Sequence, residues 1–587
     1  MIDLGHRWRI WVIASIAITA LSGLGVRLAF LHFGSSHDAL RTRILKSRHS
    51  EEEILVGRGR ILDRNGNILA LDLPVKDIFA DPKVIIDKGH LQFVVSHLAR
   101  LLNLNGKILF DRLNRPGKRF VYVKRFVKND LADEIARLQL TGIHFEDHTA
   151  RHYPQGALMC HAIGFSNWEG VGSAGIEQKM NRYLKGRSGL RVSERDGRRR
   201  ELYSRRTLEI KGQTGSDIYL TLDQNIQFMV EEALDRAMET HQPKGAWAIV
   251  QRVRTGEILA MVSRPCYDLN GFRNTSAEVR RNRSISYVYE PGSTFKAIVI
   301  ASALNEGVAR SDQLIDCEHG RWIYQRRPLR DFHPYGSLSV ADVLKKSSNI
   351  GAAKIALSLG KRRLENYIRA FGFGKPNRLN LPGEEAGIFH RYSSWSAISS
   401  TRIAMGHEIA VTALQMLNAV CAIANDGFLM RPIVIEKVVD VHGRTVFDPD
   451  PEVIARPIRR DTAKEMRYLM HRITERGGTG TRACIDGYDV AGKTGTAQKP
   501  VPGGYSDTAN IASFVGFAPV ENPEIGIIVV VDEPQPLHTG GRVSAPVFKE
   551  IAEEVLRYLD VPPGEVKPYL QFVNYENRNT DQKNRAY

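Results

Sequence analysis

The sequence predicts a membrane-anchored multidomain α+β protein whose C-terminal domain is a five-stranded antiparallel sheet flanked by helices. Three observations lead to this fold class. An apolar run begins at residue 10, a wholly apolar helical pattern follows residue 296, and two strand patterns before that helix are complemented by three after it. With 587 residues, the chain is long enough for three or four domains.

Composition divides the chain into five segments. A shift near Gly215 separates two large domains, and a polar stretch ends the chain. We expect a cytoplasmic tail over 1–9, a transmembrane anchor over 10–33, an α+β domain over 34–214, a second large domain over 215–562 and a flexible tail over 563–587.

The first apolar segment predicts a membrane-spanning helix. Residues 10–26 carry no charge, and the apolar pattern resumes after Arg27 up to Phe33. This is the short end of the range for a bilayer span. Arg7 and Arg9 precede it, which places the N-terminus in the cytoplasm and the rest outside. A cleaved signal peptide is the main alternative and a buried soluble helix a weaker one; the length of the run favours an uncleaved anchor.

The strand patterns lie on either side of a mostly helical region. Residues 245–252 and 256–263 form one predicted hairpin, and residues 489–498, 510–518 and 524–532 form a predicted meander with short loops. An amphipathic helix then opens at Pro546. A single sheet with helices on both faces would unite these strands.

Net charge and cysteine spacing exclude few classes of function. The formal charge of +17 predicts an anionic neighbour but does not choose among nucleic acid, anionic lipid and an anionic polymer. The five cysteines are far apart and form neither a metal-ligand pattern nor a disulfide framework.

The segment around Ser293 has the pattern of a serine nucleophile at the start of a buried helix. Pro291 and Gly292 set a turn, and the residues after Lys296 leave no polar face. Positions three apart share a helix face, so the Lys296 amine should reach the Ser293 hydroxyl. Burial lowers the pKa of a lysine, and its neutral form can activate a serine.

Two further motifs support this interpretation, because a Ser-x-x-Lys pair alone is expected by chance about once or twice in such a chain. Ser347-Ser348-Asn349 follows a predicted helix, and Lys493-Thr494-Gly495-Thr496 lies in a predicted strand. A glycine inside a strand indicates that another backbone comes close. The three motifs in this order form a specific set.

These motifs and their surroundings resemble the class B penicillin-binding proteins. Within that family, the chain is most similar to the division-specific peptidoglycan D,D-transpeptidases of the penicillin-binding protein 3 type. The region 215–562 resembles their serine β-lactamase/transpeptidase-like domain, and 34–214 their dimerisation-like pedestal. The resemblance of the transpeptidase-like domain is carried by the segments NRSISYVYEPGSTFKA, LKKSSNIG, GYDVAGKTGTAQ and GGRVSAPVF. The resemblance to the family's non-catalytic pedestal is carried by residues 58–70 and 172–177.

The resemblance implies a peptidoglycan D,D-transpeptidase that cross-links stem pentapeptides through a serine acyl-enzyme, releases D-Ala and is acylated by β-lactams. It implies no metal and no organic cofactor. In the roles that the resemblance implies, Ser293 is the nucleophile, Lys296 its base and Ser347 the proton relay. Asn349 holds the acyl amide and Lys296, and Lys493 supplies positive potential. The substrate-binding residues are Thr494, Gly495 and Thr496, and the N–H groups of Ser293 and Thr496 form the oxyanion hole.

Partners and location also follow from the resemblance. We expect an inner-membrane protein with one span, its catalytic domain outside the cytoplasm at the division site. A polytopic division glycosyltransferase and other divisome proteins are the expected partners, and nucleic acid is not one. Two positions depart from the family pattern: Ala413, where relatives tend to carry Pro, and His407-Glu408 at the cleft rim.

Four alternatives stay open. The elongation-specific class B enzyme has the same chemistry and another partner. A β-lactamase needs a deacylating base, and no segment here resembles the loop that carries it. A β-lactam-sensing receptor has several spans, whereas one is visible here. The last alternative is a catalytically silent scaffold of the wall machinery.

Overall fold

The chain forms two compact units, each assembled from separate stretches of sequence. The computed structural model describes residues 4–33, 49–54, 56–195, 201–379 and 381–564. One unit comprises 1–57, 76–149 and 186–215, and the other 58–75, 150–185 and 216–587. Part of the predicted pedestal and nearly all of the predicted tail lie outside the described residues. The domain limits drawn from the sequence remain predictions.

The larger unit is built on a five-stranded antiparallel sheet, which confirms the predicted fold class. Its strands are β1 (Gly245–Arg252), β2 (Ile258–Arg264), β3 (Ala491–Val501), β4 (Gly504–Ala518) and β5 (Ile525–Asp532). Their spatial order is β2-β1-β5-β4-β3. The predicted hairpin and meander are both present, and β1 pairs with β5 from Gly245 opposite Asp532 to Arg252 opposite Ile525.

Both faces of this sheet are covered by helices. Alternate residues of β1 enter different cores, because successive side chains of a strand point to opposite faces. Ala246 and Ala248 share one core with helices Gln224–His241 and Ser544–Tyr558. Trp247 and Ile249 belong to the other core, together with helices Lys296–Asn305 and Ala413–Ala424. The C-terminal helix begins two residues before the predicted Pro546.

The other elements of the larger unit frame this sheet. The remaining helices are Cys160–Ile163, Gly175–Lys179, Asn181–Leu184, Arg283–Ser286, Val340–Lys346, Asn349–Leu359, Lys361–Ala370, Ser399–Ile403 and Arg460–His471. The remaining strands are Ile61–Leu62, Asp217–Leu220, Leu314–Asp316, Arg321–Tyr324, Arg327–Arg330, Ser337–Ser339, Leu429–Met430, Ile435–Val439, Thr445–Phe447 and Val453–Ala455. Strand Ile68–Ala80 contributes residues to both units.

The smaller unit has its own core around Ile78, Val94, Leu98, Leu109 and Val123. Its helices are Leu4–Phe33, Pro82–Asp87, Leu91–Leu101, Gly106–Leu113 and Asn129–Arg137. Its strands are His49–Ile54, Val121–Lys128, Gly189–Arg195, Glu201–Leu202 and Leu208–Ile210. Strand Ile143–His152 contributes residues to both units.

The N-terminal helix Leu4–Phe33 has the dimensions of a membrane span. Its most apolar part is Trp8–Phe30, with a mean hydropathy of 1.8 and no part of the window buried in the protein. Within the described ranges, it is the one helix long and apolar enough to cross a bilayer. Trp8 and Trp11 lie near one end, as interfacial aromatic residues do.

A buried carboxylate joins segments of the larger unit that are far apart in the sequence. Glu177 is fully buried and accepts hydrogen bonds from Arg58 Nε and Arg151 Nε, both at 2.6 Å. Arg58 also donates to Gly170 O at 3.0 Å and to Asn181 Oδ1 at 2.7 Å. Because removing one member of such a pair leaves an uncompensated buried charge, the network is sensitive to single substitutions.

We expect Arg58→Ala to lower the free energy of unfolding by about 3–5 kcal/mol. Arg60→Ala is the matched control, because the Arg60 side chain is 50% exposed in its ion pair with Asp217 and such pairs contribute roughly 0–1 kcal/mol. Chemical denaturation of the full chain measures both. Equal effects of the two substitutions would show that the buried Arg58–Glu177 pair contributes no more to stability than the exposed Arg60–Asp217 pair.

Candidate active site

Ser293 lies in the turn that leads into a buried helix. A 3-10 turn over Gly292–Phe295 runs directly into the α-helix Lys296–Asn305, every residue of which is buried up to Leu304. Ser293 is half-buried, while Thr294 and Lys296 are fully buried. Thr294 Oγ1 donates to Pro291 O at 2.8 Å and closes the turn. The structure thus places a partly accessible hydroxyl at the head of an apolar helix.

The Lys296 amine is held by the second motif. Its Nζ donates to Ser347 O at 2.6 Å and to Asn349 Oδ1 at 2.7 Å, and it lies 3.2 Å from Ser347 Oγ. Among the described residues, no hydrogen bond joins it to Ser293 Oγ. The two short bonds end on carbonyl oxygens, which only accept. A neutral amine satisfies both with its two N–H groups, and the Ser347 hydroxyl is the third neighbour of its nitrogen.

Burial favours that neutral form. Desolvation of Lys296 lowers its pKa to about 7, and the negative charge of Asp331 opposes the shift. A free lysine would be almost fully protonated at neutral pH. At this position, a substantial fraction is available as a base.

Lys493, on strand β3, approaches Ser347 from the third motif. Its Nζ donates to Ser347 Oγ at 3.1 Å and to Thr494 O at 3.1 Å, and its side chain is fully buried. Burial, and then repulsion by Lys296, holds the pKa of Lys493 well below its usual value. Two buried lysines therefore flank one hydroxyl, and their protonation is coupled.

The loop between two helices presents Ser347 and Asn349 to these amines. Helix Val340–Lys346 starts at Ser339, whose side chain accepts from Asp342 N, and ends at Ser347 in the left-handed region with φ of 61°. Ser348 caps the next helix, Asn349–Leu359, by accepting from Gly351 N at 2.9 Å. The short reversal between the two helices sets the positions of both functional side chains.

Asp331 supports this loop, and the sequence analysis did not identify it. Its Oδ1 accepts from Asn349 N at 2.5 Å and Ile350 N at 3.0 Å, and its Oδ2 accepts from Ser348 Oγ at 2.6 Å. A carboxylate at a helix N-terminus is a favourable arrangement. The available signal was weak: Asp331 is the one acidic residue between Glu318 and Asp342, in a stretch rich in arginine.

Strand β3 carries the predicted substrate-binding residues alongside the turn Gly292–Phe295, which contains Ser293. A Cβ atom at Gly495 would lie 2.3 Å from Ser513 Oγ and 3.0 Å from Pro291 O, so the backbones meet as predicted. Thr494 Oγ1 donates to Thr479 Oγ1 at 2.9 Å, and Thr496 Oγ1 accepts from Gly540 N at 3.1 Å. Thr479 is a further neighbour of this strand that sequence patterns did not reveal.

The two departures from the family pattern have separate structural settings. Gly406 O accepts from Gly292 N at 3.2 Å, so His407 lies next to the turn that contains Ser293. Burial lowers the pKa of His407 to about 4, and its ring packs edge-on against Tyr505 at 5.3 Å. Ala413 is the first residue of a helix that Thr412 caps, a position where proline is readily accommodated.

Comparison with known proteins places this site in a family. A model of the penicillin-binding protein transpeptidase domain matches residues 246–553, and a model of the penicillin-binding protein dimerisation domain matches 53–220. The probable peptidoglycan D,D-transpeptidase PenA of Neisseria gonorrhoeae is 36% identical over 509 residues, which cover 86% of this chain and 85% of PenA.

Two further comparisons agree. The peptidoglycan D,D-transpeptidase FtsI of Escherichia coli is 34% identical over 95% of this chain and 92% of its own. The crystal structure of penicillin-binding protein 2X from Streptococcus thermophilus superposes with a TM-score of 0.72 at 27% identity, covering 86% of this chain and 80% of that one. The chain therefore belongs to the class B penicillin-binding proteins, the family and the transpeptidase class that the sequence predicted.

Proposed function

We propose that this chain cross-links peptidoglycan stem peptides through an acyl-enzyme on Ser293, and that it does so during septal wall synthesis. The supporting observation is the hydrogen-bonded cluster of Lys296, Ser347, Asn349 and Lys493. Three motifs far apart in the sequence meet there, beside the turn that carries Ser293. This arrangement serves acyl transfer, in which a hydroxyl must lose a proton and a leaving amine must gain one.

Acylation begins with the Ser293 hydroxyl. Neutral Lys296 accepts its proton while the oxygen attacks the carbonyl carbon of the penultimate D-Ala. The developing oxyanion is stabilised by the backbone N–H groups of Ser293 and Thr496. Asn349 holds the Lys296 amine through a 2.7 Å hydrogen bond and the acyl amide through the remainder of its side chain.

The leaving D-Ala takes its proton through Ser347. The Ser347 hydroxyl lies 3.2 Å from Lys296 Nζ and 3.1 Å from Lys493 Nζ, so a proton taken from Ser293 can pass to the amine nitrogen as the peptide bond breaks. An amine from a neighbouring strand then attacks the ester, loses its proton and returns the hydroxyl to Ser293. The products are a new peptide bond and free D-Ala.

Substrate binding restores charge to the site. The terminal carboxylate of the stem peptide would be bound by the hydroxyl groups of Thr494 and Thr496. An anion close to Lys493 raises the pKa of that lysine. Lys493 then supplies positive potential only when substrate is present.

The second-order rate of acylation by penicillin should rise with pH along a limb centred near pH 7. Below the Lys296 pKa of about 7 the amine is protonated and cannot act as a base. Asp331→Asn should move this limb to lower pH, because the aspartate charge raises that pKa. Asp312→Asn, at an exposed aspartate paired with Arg310, is the control. A limb that stays in place or moves upward in Asp331→Asn would show that another group controls it.

Ser293→Ala should abolish labelling by a fluorescent penicillin, because Ser293 is the hydroxyl that stands three residues before Lys296 at the head of the buried helix. Peptide mapping of the labelled wild-type chain should recover the acyl group on Ser293 alone. The thermal transition of the variant should stay close to that of the wild type. Labelling that survives the substitution would refute the mechanism, and rapid nitrocefin turnover by the wild type would indicate a β-lactamase.

The septal role rests on the similarity of the segment NRSISYVYEPGSTFKA to division enzymes. We propose that helix Leu4–Phe33 anchors the chain in the inner membrane, with the catalytic unit outside the cytoplasm. A polytopic division glycosyltransferase would contact the span at residues 10–33 and the segment 58–70. In a membrane, close packing drives such an association.

Depletion of the protein in a rod-shaped host should produce long filaments without septa, and a fluorescent fusion should gather at midcell. The physical basis is the loss of cross-linking where the septum grows. Cell shape and septum number, scored by microscopy, measure the effect. Round cells that still divide would assign the chain to elongation.

A further inference from the structure

A strongly cationic hairpin lies beside the active site. Strands Arg321–Tyr324 and Arg327–Arg330 pair antiparallel. The ten hairpin residues 321–330, turn included, contain no acid and four arginines, namely Arg321, Arg326, Arg327 and Arg330. All four arginine side chains are exposed. Across the described part of the chain, none of the four forms an ion pair. The hairpin therefore presents positive charge to solvent without internal compensation.

Two of these arginines face each other directly. Arg321 is opposite Arg330 in the register, and Trp322 is opposite Leu329. Leu329 is buried against Ile350, with Trp322 packed on the same cluster. Because side chains alternate along a strand, Arg321 and Arg330 occupy the other, outward face.

This cross-strand pair is unfavourable without a ligand. Directly opposite residues have Cβ atoms about 4.5–5.5 Å apart, and like charges at that spacing destabilise a hairpin. A carboxylate between the two guanidinium groups would remove the repulsion. Arginine suits that role because its planar N–H fork matches both carboxylate oxygens.

The backbone of Arg330 is hydrogen-bonded to the cluster of Lys296, Ser347, Asn349 and Lys493. Asn349 Nδ2 donates to Arg330 O at 2.8 Å, while Asn349 Oδ1 accepts from Lys296 Nζ. The next residue, Asp331, holds the backbone of Asn349 and the hydroxyl of Ser348. These bonds place the backbone of Arg330 directly beside Asn349, a residue of the candidate site.

We propose that Arg321 and Arg330 bind a free carboxylate of a peptidoglycan peptide at the active site, distinct from the terminal carboxylate of D-Ala-D-Ala. This inference rests on the proposed transpeptidase function and names a substrate feature that the site selects. The carboxylate belongs either to a residue of the donor stem that precedes the two D-Ala or to the acceptor amine. Both sources offer the same chemistry to the arginine pair.

The test compares matched substrates on the full chain in detergent. The donor arm uses two pentapeptides ending in D-Ala-D-Ala, one with a free carboxylate on the third residue and one with that group amidated, and measures kcat/KM for D-Ala release. The acceptor arm uses an amino acid and its amide as acceptors, and measures kcat/KM for peptide-bond formation. The wild type should prefer the free carboxylate by about tenfold or more in one arm, since a hydrogen bond to a charged group has that weight.

Four variants test whether Arg321 and Arg330 produce the preference for a free carboxylate. Arg321→Ala and Arg330→Ala should each reduce the preference by about tenfold. Arg327→Ala should retain it, because Arg327 lies on the same hairpin but on the face of Leu329. Arg321→Glu should abolish the preference without lowering the Tm, because it replaces a repulsive cross-strand pair by an attractive one.

Three results would overturn the proposal. These are a wild type that shows no preference in either arm, a preference that survives Arg321→Ala and Arg330→Ala, and an equal loss in Arg327→Ala. Labelling of wild-type Ser293 by fluorescent penicillin, measured on the same preparation, separates this failure from that of the proposed function. A chain that is labelled but shows no preference retains the transpeptidase assignment and loses only the carboxylate site.

Discussion

The active site depends on burying two lysine side chains without pairing either of them with a carboxylate. Lys296 and Lys493 are both fully buried, and their described hydrogen bonds end on neutral oxygens. Burying a charge in this way is costly, so the amines shift toward their neutral forms. Asp331 lies close enough to moderate the pKa of Lys296, but its own hydrogen bonds go to the loop around Ser348.

The rest of the catalytic unit provides the rigidity that this arrangement requires. Two carbonyl acceptors fix the position of the Lys296 amine within the cluster. Those acceptors lie on a helix–helix reversal with Ser347 in a left-handed conformation. Gly495 lets strand β3 approach the turn that contains Ser293, since a side chain at this position would overlap Ser513 and Pro291 O. Each of these local features is supported by packing rather than by propensity.

Positive charge has different consequences in the core and on the surface. Within the cluster, burial and then repulsion by Lys296 lower the pKa of Lys493. On the neighbouring hairpin, the arginine side chains are exposed and present their charge to solvent. Part of the net charge of +17 is therefore concentrated on a surface hairpin beside the candidate active site.

The sequence by itself determined the local elements: the apolar N-terminal helix, the hairpin and meander of the sheet, and the buried helix after Ser293. These follow from periodicity and composition within short windows. It also supplied the three motifs, because their residue types are specific in combination. Only the tertiary structure decided the pairing of β1 with β5, since hydrogen bonds between segments nearly 300 residues apart leave no local pattern. The same holds for Asp331, Thr479 and the facing Arg321 and Arg330, whose roles depend on which side chains the fold brings opposite each other.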